Sequence, residues 1–254
     1  MTITFLGTGT SQGVPVIACT CEVCMSTDKH DKRLRTSILV ESEEKVVVID
    51  SGPDFRYQML REKVMHLDAI VFTHEHKDHI AGMDDIRAFN FKQQSAIDVY
   101  ASERVQASLK REFYYVFADF KYPGTPQVNL HTINENAPFD IGDIHLTPIE
   151  VMHYKLPVLG FRIKDFTYIT DAKTVSDIEK EKIRGSKILV INALQRQSHI
   201  SHFTFDEAIA FAQEIGAEQT YFTHISHRLG KHADVSSELP DNIYLAYDGL
   251  KLTI

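Results

Sequence analysis

Thr73-His74-Glu75-His76-Lys77-Asp78-His79 follows the apolar run Ala69-Ile70-Val71-Phe72, and this junction decides the fold. The run is short and β-branched, so a buried strand is predicted there rather than a helix. Backbone at the end of a strand is still extended, and residues two apart project to one side. His74 and His76 therefore face the same way, while Asp78 and His79 fall where the chain turns and point into an adjacent position. The pattern reads H-x-H-x-D-H, with four metal-capable side chains in six positions. It fits one metal between His74 and His76 and another touching Asp78 and His79. Imidazole together with carboxylate suits Zn, Mn or Fe. A lone His at a strand end is usually a polar surface residue, but that reading does not explain three His and an Asp packed this densely.

Working outward, Ile3 to Leu6 reads as a short strand running into Gly7-Thr8-Gly9-Thr10-Ser11-Gln12-Gly13. The glycines fit neither a phosphate-binding loop nor a dinucleotide fingerprint, because the required βαβ spacing does not follow. They serve either a close backbone approach at the metal floor or a plain tight turn. All three cysteines of the chain follow in Cys19-Thr20-Cys21-Glu22-Val23-Cys24. Three thiolates make three-quarters of a tetrahedral structural zinc site whose missing ligand should be a His elsewhere. A redox pair is the alternative, and it lacks the helix-opening context that such a pair uses.

Strands are expected at 37–41, 46–50, 68–73, 97–101, 128–133, 144–151, 161–163, 167–170, 187–191 and 219–223. Helices are expected at 55–63, capped by Asp54, and at 81–89, 103–111 and 205–215. The aromatic segment 113–127 reads equally as a lid or dimer contact and as simple packing. This alternation in both halves predicts two sheets with helices outside, an αββα sandwich, with residues 1–254 as a single domain. Metal-capable residues recur directly after strands, at His153, Asp171 and His224. With the first motif they complete a two-metal set: His74, His76 and His153 for one ion, Asp78, His79 and His224 for the other, and Asp171 between them.

The chain of 254 residues is 43% hydrophobic with a formal net charge of −8. That balance argues against a broad nucleic-acid face, because phosphate backbones attract basic stripes. It leaves room for a small phosphate ester whose charge is met locally by metal. No apolar run is long enough to cross a bilayer and no leader pattern opens the chain, so a cytoplasmic protein is expected.

On these motifs the sequence resembles the metallo-β-lactamase superfamily of hydrolases, from the Gly-rich turn through His224. Carried over one by one, His74, His76, Asp78, His79, His153, Asp171 and His224 match the binuclear ligands. The superfamily's redox branch has Glu where this chain has His76, which disfavours an oxygen-reducing flavoprotein. Within the superfamily the chain is similar to the PhnP-like cyclic-phosphate phosphodiesterases. Their added structural zinc implies Cys19, Cys21, Cys24 and His227, the His three residues after the last active-site ligand. The resemblance also implies a catalytic His before a helix, best fitted by His202, with His199 as its rival; Asp78 is the second catalytic residue, expected to accept a hydrogen bond from the bridging hydroxide. His30, His66, His131, His145 and His232 have no motif behind them and read as surface or packing residues. The function implied is hydrolysis of a small, sometimes cyclic, phosphodiester by metal-activated water. Two active-site Zn or Mn ions (Fe is also compatible), one structural Zn and a homodimer by analogy go with it. A ribonuclease Z-type tRNA 3′-endonuclease, a glyoxalase II-type thioester hydrolase and a non-catalytic metal-binding protein are the alternatives.

Overall fold

Ser37-Ile38-Leu39-Val40-Glu41 and Val46-Val47-Val48-Ile49 favour extended backbone, because a branched Cβ stiffens χ1 and packs well on a pleated surface. In the computed structural model, which describes residues 1–254, these are two of fourteen strands. The first seven are β1 (Thr2–Gly7), β2 (Ser37–Glu41), β3 (Val46–Ile49), β4 (Ala69–Val71), β5 (Ile97–Ala101), β6 (Val128–Thr132) and β7 (Phe139–Ile141). The rest are β8 (Ile144–His153), β9 (Leu156–Ile163), β10 (Phe166–Tyr168), β11 (Ile188–Asn192), β12 (Gln219–Thr223), β13 (Ile243–Leu245) and β14 (Lys251–Thr253). They form two seven-stranded sheets, ordered β14-β1-β2-β3-β4-β5-β6 and β13-β12-β11-β10-β9-β8-β7. Pairing is parallel along β3-β4-β5-β6 and along β10-β11-β12-β13. The central strands β3, β4, β10 and β11 are buried along nearly their whole length, which explains their largely apolar runs.

Eight helices accompany the strands: α1 (Phe55–Glu62), α2 (Lys77–Ile80), α3 (Arg87–Gln93), α4 (Glu103–Glu112), α5 (Tyr114–Phe117), α6 (Asp177–Ile183), α7 (Phe205–Ile215) and α8 (His232–Ser236). Three apolar layers follow. Between the sheets, Phe5, Ile38, Val47 and Val71 meet Leu146, Phe161, Phe166 and Tyr168. Outside the first sheet, Phe55, Met59, Val105 and Leu109 cover Leu39, Val48 and Ile70. Outside the second, Ala208, Phe211 and Ile215 cover Leu189, Ile191 and Phe222. This is the αββα sandwich expected from the sequence. No helix is long and apolar enough to cross a membrane.

Helix α7 and strand β12 have the predicted bounds, and α7 is held at its start by a capping box between Thr204 and Glu207. Elsewhere local signals are overridden. Asp54 precedes α1 but does not cap it; its carboxylate accepts from the Arg35 backbone N–H at 2.8 Å and pairs with the Arg35 guanidinium. The helix expected at 81–89 is instead a 3₁₀ turn over Met83–Ile86 followed by α3. Gly82 is pinned against the 51–52 turn, its N–H donating to the Ser51 carbonyl at 2.8 Å and its Cα facing the Gly52 carbonyl, where a Cβ would fall 2.1 Å away. β7, β13, β14, α6 and α8 are short elements that carried no clear signal.

The Gly-rich turn does not line the metal site. A Cβ on Gly7 would lie 2.0 Å from the Arg35 carbonyl oxygen, and one on Gly9 would lie 2.9 Å from that of Arg33. The glycines let the loop lie flat on 33–35. It reaches the site indirectly, because Ile225 N–H donates to Thr8 O at 2.9 Å and Thr10 N–H to Ile225 O at 3.1 Å. That pairing clamps the residue after His224. In the aromatic segment, Phe113 and Val116 pack in the outer core, while Tyr114, Phe120 and Tyr122 are exposed.

Candidate active site

Five strands end at one edge of the sandwich, and each delivers a polar residue there. β3 leads to Asp50, β4 to the 74–79 loop, β8 to His153, β10 to Asp171 and β12 to His224. Asp50, Asp171 and His224 sit at φ of 64°, 51° and 55°. Left-handed backbone at a non-Gly residue costs on the order of 1–3 kcal/mol and persists where surroundings enforce it. The 74–79 loop is pinned from behind, since a Cβ on Gly52 would fall 2.1 Å from the Asp78 carbonyl oxygen.

Asp171 is the centre of the cluster. Its Oδ1 lies 3.4 Å from His79 Nε2 and 3.2 Å from His224 Nε2. Its other oxygen lies 3.7 Å from His74 Nε2, which in turn is 3.1 Å from His76 Nδ1. Asp78 completes the second group, 3.3 Å from His79 Nε2 and 3.6 Å from His224 Nε2. The His153 ring lies 5.2 Å from that of His76 and 4.4 Å from that of His202. Its Nδ1 faces the Ser201 carbonyl oxygen at 2.8 Å, turning Nε2 inward. All seven sequence-predicted ligands therefore converge on this edge: His74 and His76 group with Asp171, Asp78, His79 and His224 also group with Asp171, and His153 groups with Asp171 and His202.

These residues fit a pair of divalent ions. His79 Nε2 and His224 Nε2 are enclosed with no hydrogen-bond partner, although carboxylate oxygens stand 3.2–3.6 Å away. Ligand atoms about 2.0–2.2 Å from a tetrahedral ion stand about 3.4 Å apart, so these spacings are those of donors around a common centre. Buried groups left unpaired would otherwise cost about 1–3 kcal/mol each.

The carboxylates also draw positive charge to this edge, a charge that a bound ion would supply in place of a proton. Burial acts most strongly on Asp171, favouring its neutral form, but His224 and His79 outweigh it and hold the carboxyl well below its ordinary range. Burial likewise disfavours charge on His79, and Asp78, Asp171 and Asp50 together overcome it and raise the imidazole. On His74, burial prevails and lowers the ring well below its ordinary value.

Asp50 is a functional residue that sequence reasoning missed. It is fully buried, accepts from the Thr73 N–H at 2.9 Å and the Thr73 hydroxyl at 2.8 Å, and faces His79 Nδ1 at 2.7 Å. It thus sets the tautomer and orientation of His79, as carboxylates behind metal-bound imidazoles do. The signal was present, since Asp50 closes the strand expected at 46–50, but no further metal-capable residue stands beside it in sequence. Asp50→Asn is expected to lower active-site metal affinity or turnover about 10–100-fold. Chelator-competition titration and steady-state rates on the folded variant check this. Wild-type values in both would remove Asp50 from the site.

His202 and His199 separate clearly. His202 is buried, with its ring 4.7 Å from that of His224, whereas His199 is half-exposed and 5.1 Å behind it. Burial pushes the His202 imidazole far down, so its ring is neutral.

The second cluster lies beyond His224. Cys19, Cys21 and Cys24 Sγ are 3.3, 3.4 and 3.6 Å from His227 Nδ1. One nitrogen cannot hydrogen-bond three sulfurs at once. Sulfur and nitrogen about 2.3 and 2.0 Å from a tetrahedral zinc stand about 3.5 Å apart, which these spacings match. The backbone N–H of Val16 donates to Cys24 Sγ at 3.3 Å and that of Cys24 to Cys21 Sγ at 3.5 Å.

Residues 45–225 match the beta-lactamase superfamily domain, and the chain belongs to that family. A solved structure described as a new diphosphatase from the PhnP family superposes with a TM-score of 0.93 at 41% identity, covering 100% of this chain and 97% of that one. An octanoyltransferase from Porphyromonas gingivalis is 40% identical over 98% of this chain and 51% of its own length. A ribonuclease Z from Nostoc sp. is 25% identical over 72% of this chain and 51% of its own length. The chain thus spans about half the length of these curated relatives.

Proposed function

We propose that this chain is a metal-dependent hydrolase of small phosphodiesters or diphosphates. His74, His76 and His153 would hold one divalent ion, Asp78, His79 and His224 the other, and Asp171 both. Cys19, Cys21, Cys24 and His227 would hold a structural zinc. The observation that carries this reading is Asp171, whose two oxygens face different imidazole groups. The likeness to a PhnP-family diphosphatase points to phosphate esters. When bound, the ions supply Lewis acidity and bring the pKa of water towards neutrality.

The protein's own groups do the rest. Asp50 and Thr73 fix the rings of His79 and His74. Asp78, half-buried at the opening, accepts a hydrogen bond from the attacking water. His202, neutral at rest with its Nδ1 enclosed and unpartnered, would take up the proton that the attacking water gives up and pass it to the leaving alkoxide, returning to the neutral ring.

A net charge of −8 disfavours a long polyanion such as tRNA, because each phosphate contact needs a cation to replace its counterions. An acyl transfer would need its own nucleophile, and all three cysteines converge on His227. Cytoplasmic location and a homodimer belong to the same proposal, by analogy.

Metal analysis of the purified protein, with hydrolysis of bis(p-nitrophenyl) phosphate in added Mn or Zn, tests it. Three ions per chain with turnover is the expected result. Two ions with turnover would remove the cysteine site, and bound metal without turnover would overturn the phosphodiesterase reading.

A further inference from the structure

Strands β8 and β9 pair through His153 and Leu156, leaving Tyr154-Lys155 as a two-residue hairpin tip directly after a predicted ligand. Tyr154 has φ 59° and Lys155 is not left-handed. In two-residue turns of that kind the first central position strongly favours Gly, and a bulky residue there is strained. Tyr154 remains 52% exposed, so its ring stands at the surface beside the predicted ligands.

The tip does wall a depression of about 420 Å³, lined by His76, His153, Tyr154, Lys155, Leu156, Ile200 and Ser201. Ile200, on the segment that carries His202, is 65% exposed. The depression thus opens from the ligands His76 and His153 outward between an aromatic ring and an aliphatic side chain. Lys155 Nζ stands 5.4 Å from the Tyr154 ring centroid and is the only formal cation among the lining residues.

We propose that Tyr154, Ile200 and Lys155 form the specificity subsite of this hydrolase, taking the base of a nucleoside phosphodiester. The base stacks on Tyr154 against Ile200, and Lys155 meets the negative charge of the phosphate. An aromatic side chain accepts any base because every base presents a π-face, and a cation beside it meets the backbone phosphate. This rests on the phosphodiesterase reading above and narrows its substrates.

The test compares adenosine 2′,3′-cyclic phosphate with methyl ribofuranoside 2′,3′-cyclic phosphate, which has no base. Wild-type kcat/KM is expected to favour the nucleoside ester about tenfold or more, in keeping with measured base-stacking contributions. Tyr154→Gly suits the turn better and should fold at least as well, and it is expected to bring the ratio towards one, mainly through KM. Tyr154→Phe keeps the ring and should keep the ratio. A wild-type ratio near one, or a Tyr154→Gly ratio equal to wild type, would overturn the subsite alone. Hydrolysis of neither ester would overturn the phosphodiesterase reading and the subsite with it.

Discussion

His202→Ala is expected to lower kcat about 10²–10⁴-fold, the usual contribution of a positioned general acid, while active-site metal content stays near that of wild type. The separation of the two readouts follows from the geometry. On the proposed reading His74, His76, Asp78, His79, His153 and His224 would supply the ion-facing atoms around the two oxygens of Asp171 without His202. His202 stacks beside His224 and His153 instead, with centroids 4.7 and 4.4 Å away. It approaches Asp171 from the side of His153. Its proton would matter most for a poor leaving group. A p-nitrophenolate leaving group needs little protonation, so the defect should shrink on bis(p-nitrophenyl) phosphate relative to an alkyl ester. A parallel fall in metal content and turnover, equal on both substrates, would make His202 a ligand rather than an acid. His199→Ala, half-exposed behind it, should cost far less.

The sandwich and most of the candidate site were legible in the sequence for one physical reason. A short β-branched strand buried on both faces leaves its own signature, and the residue after it is where the chain leaves the sheet. His153, Asp171 and His224 could be placed by that rule, and the structure brings them to one edge with the 74–79 loop. Asp50 obeys the same rule and was passed over, because it stands alone at the end of the expected strand 46–50 with no second metal-capable residue beside it. What sequence could not show were contacts between distant backbones. Gly52 is needed because the Asp78 carbonyl lies against it, and Gly7 because the Arg35 carbonyl does; neither neighbour is near in sequence. Asp54 failed as a predicted cap for the same reason, since Arg35 competes for its carboxylate.

Cys21→Ala should lose one zinc per chain and destabilise the fold by about 2–5 kcal/mol, the range for removing a native crosslink. For a chain of this size that corresponds to a fall of roughly 5–15 °C in Tm. The full zinc-binding free energy of a zinc finger, about 10–16 kcal/mol, is not at stake, because the three large apolar layers contain no residue of this loop. What the site secures is local. Cys19, Cys21 and Cys24 tie the loop after β1 to His227, and only Val14, Val23 and Cys24 form the buried apolar patch beneath. The effect should reach the active site through the chain itself. His224 is held at φ 55°, with Ile225 clamped to Thr8 and Thr10 and His227 two residues further on. Freed of zinc, that segment keeps its backbone bonds to Thr8, Thr10 and Leu194 but loses its tie to the cysteine loop, and the strained His224 backbone is expected to relax in part. Turnover should therefore fall in Cys21→Ala even with excess Mn or Zn supplied to the active site. Cys21→Ser should behave like the Ala variant, because a neutral hydroxyl is a poor substitute for a thiolate ligand. If Tm and zinc count both match wild type, the four residues are a hydrogen-bonded cluster and not a metal site. If zinc is lost while Tm and turnover hold, the site binds metal without securing His224.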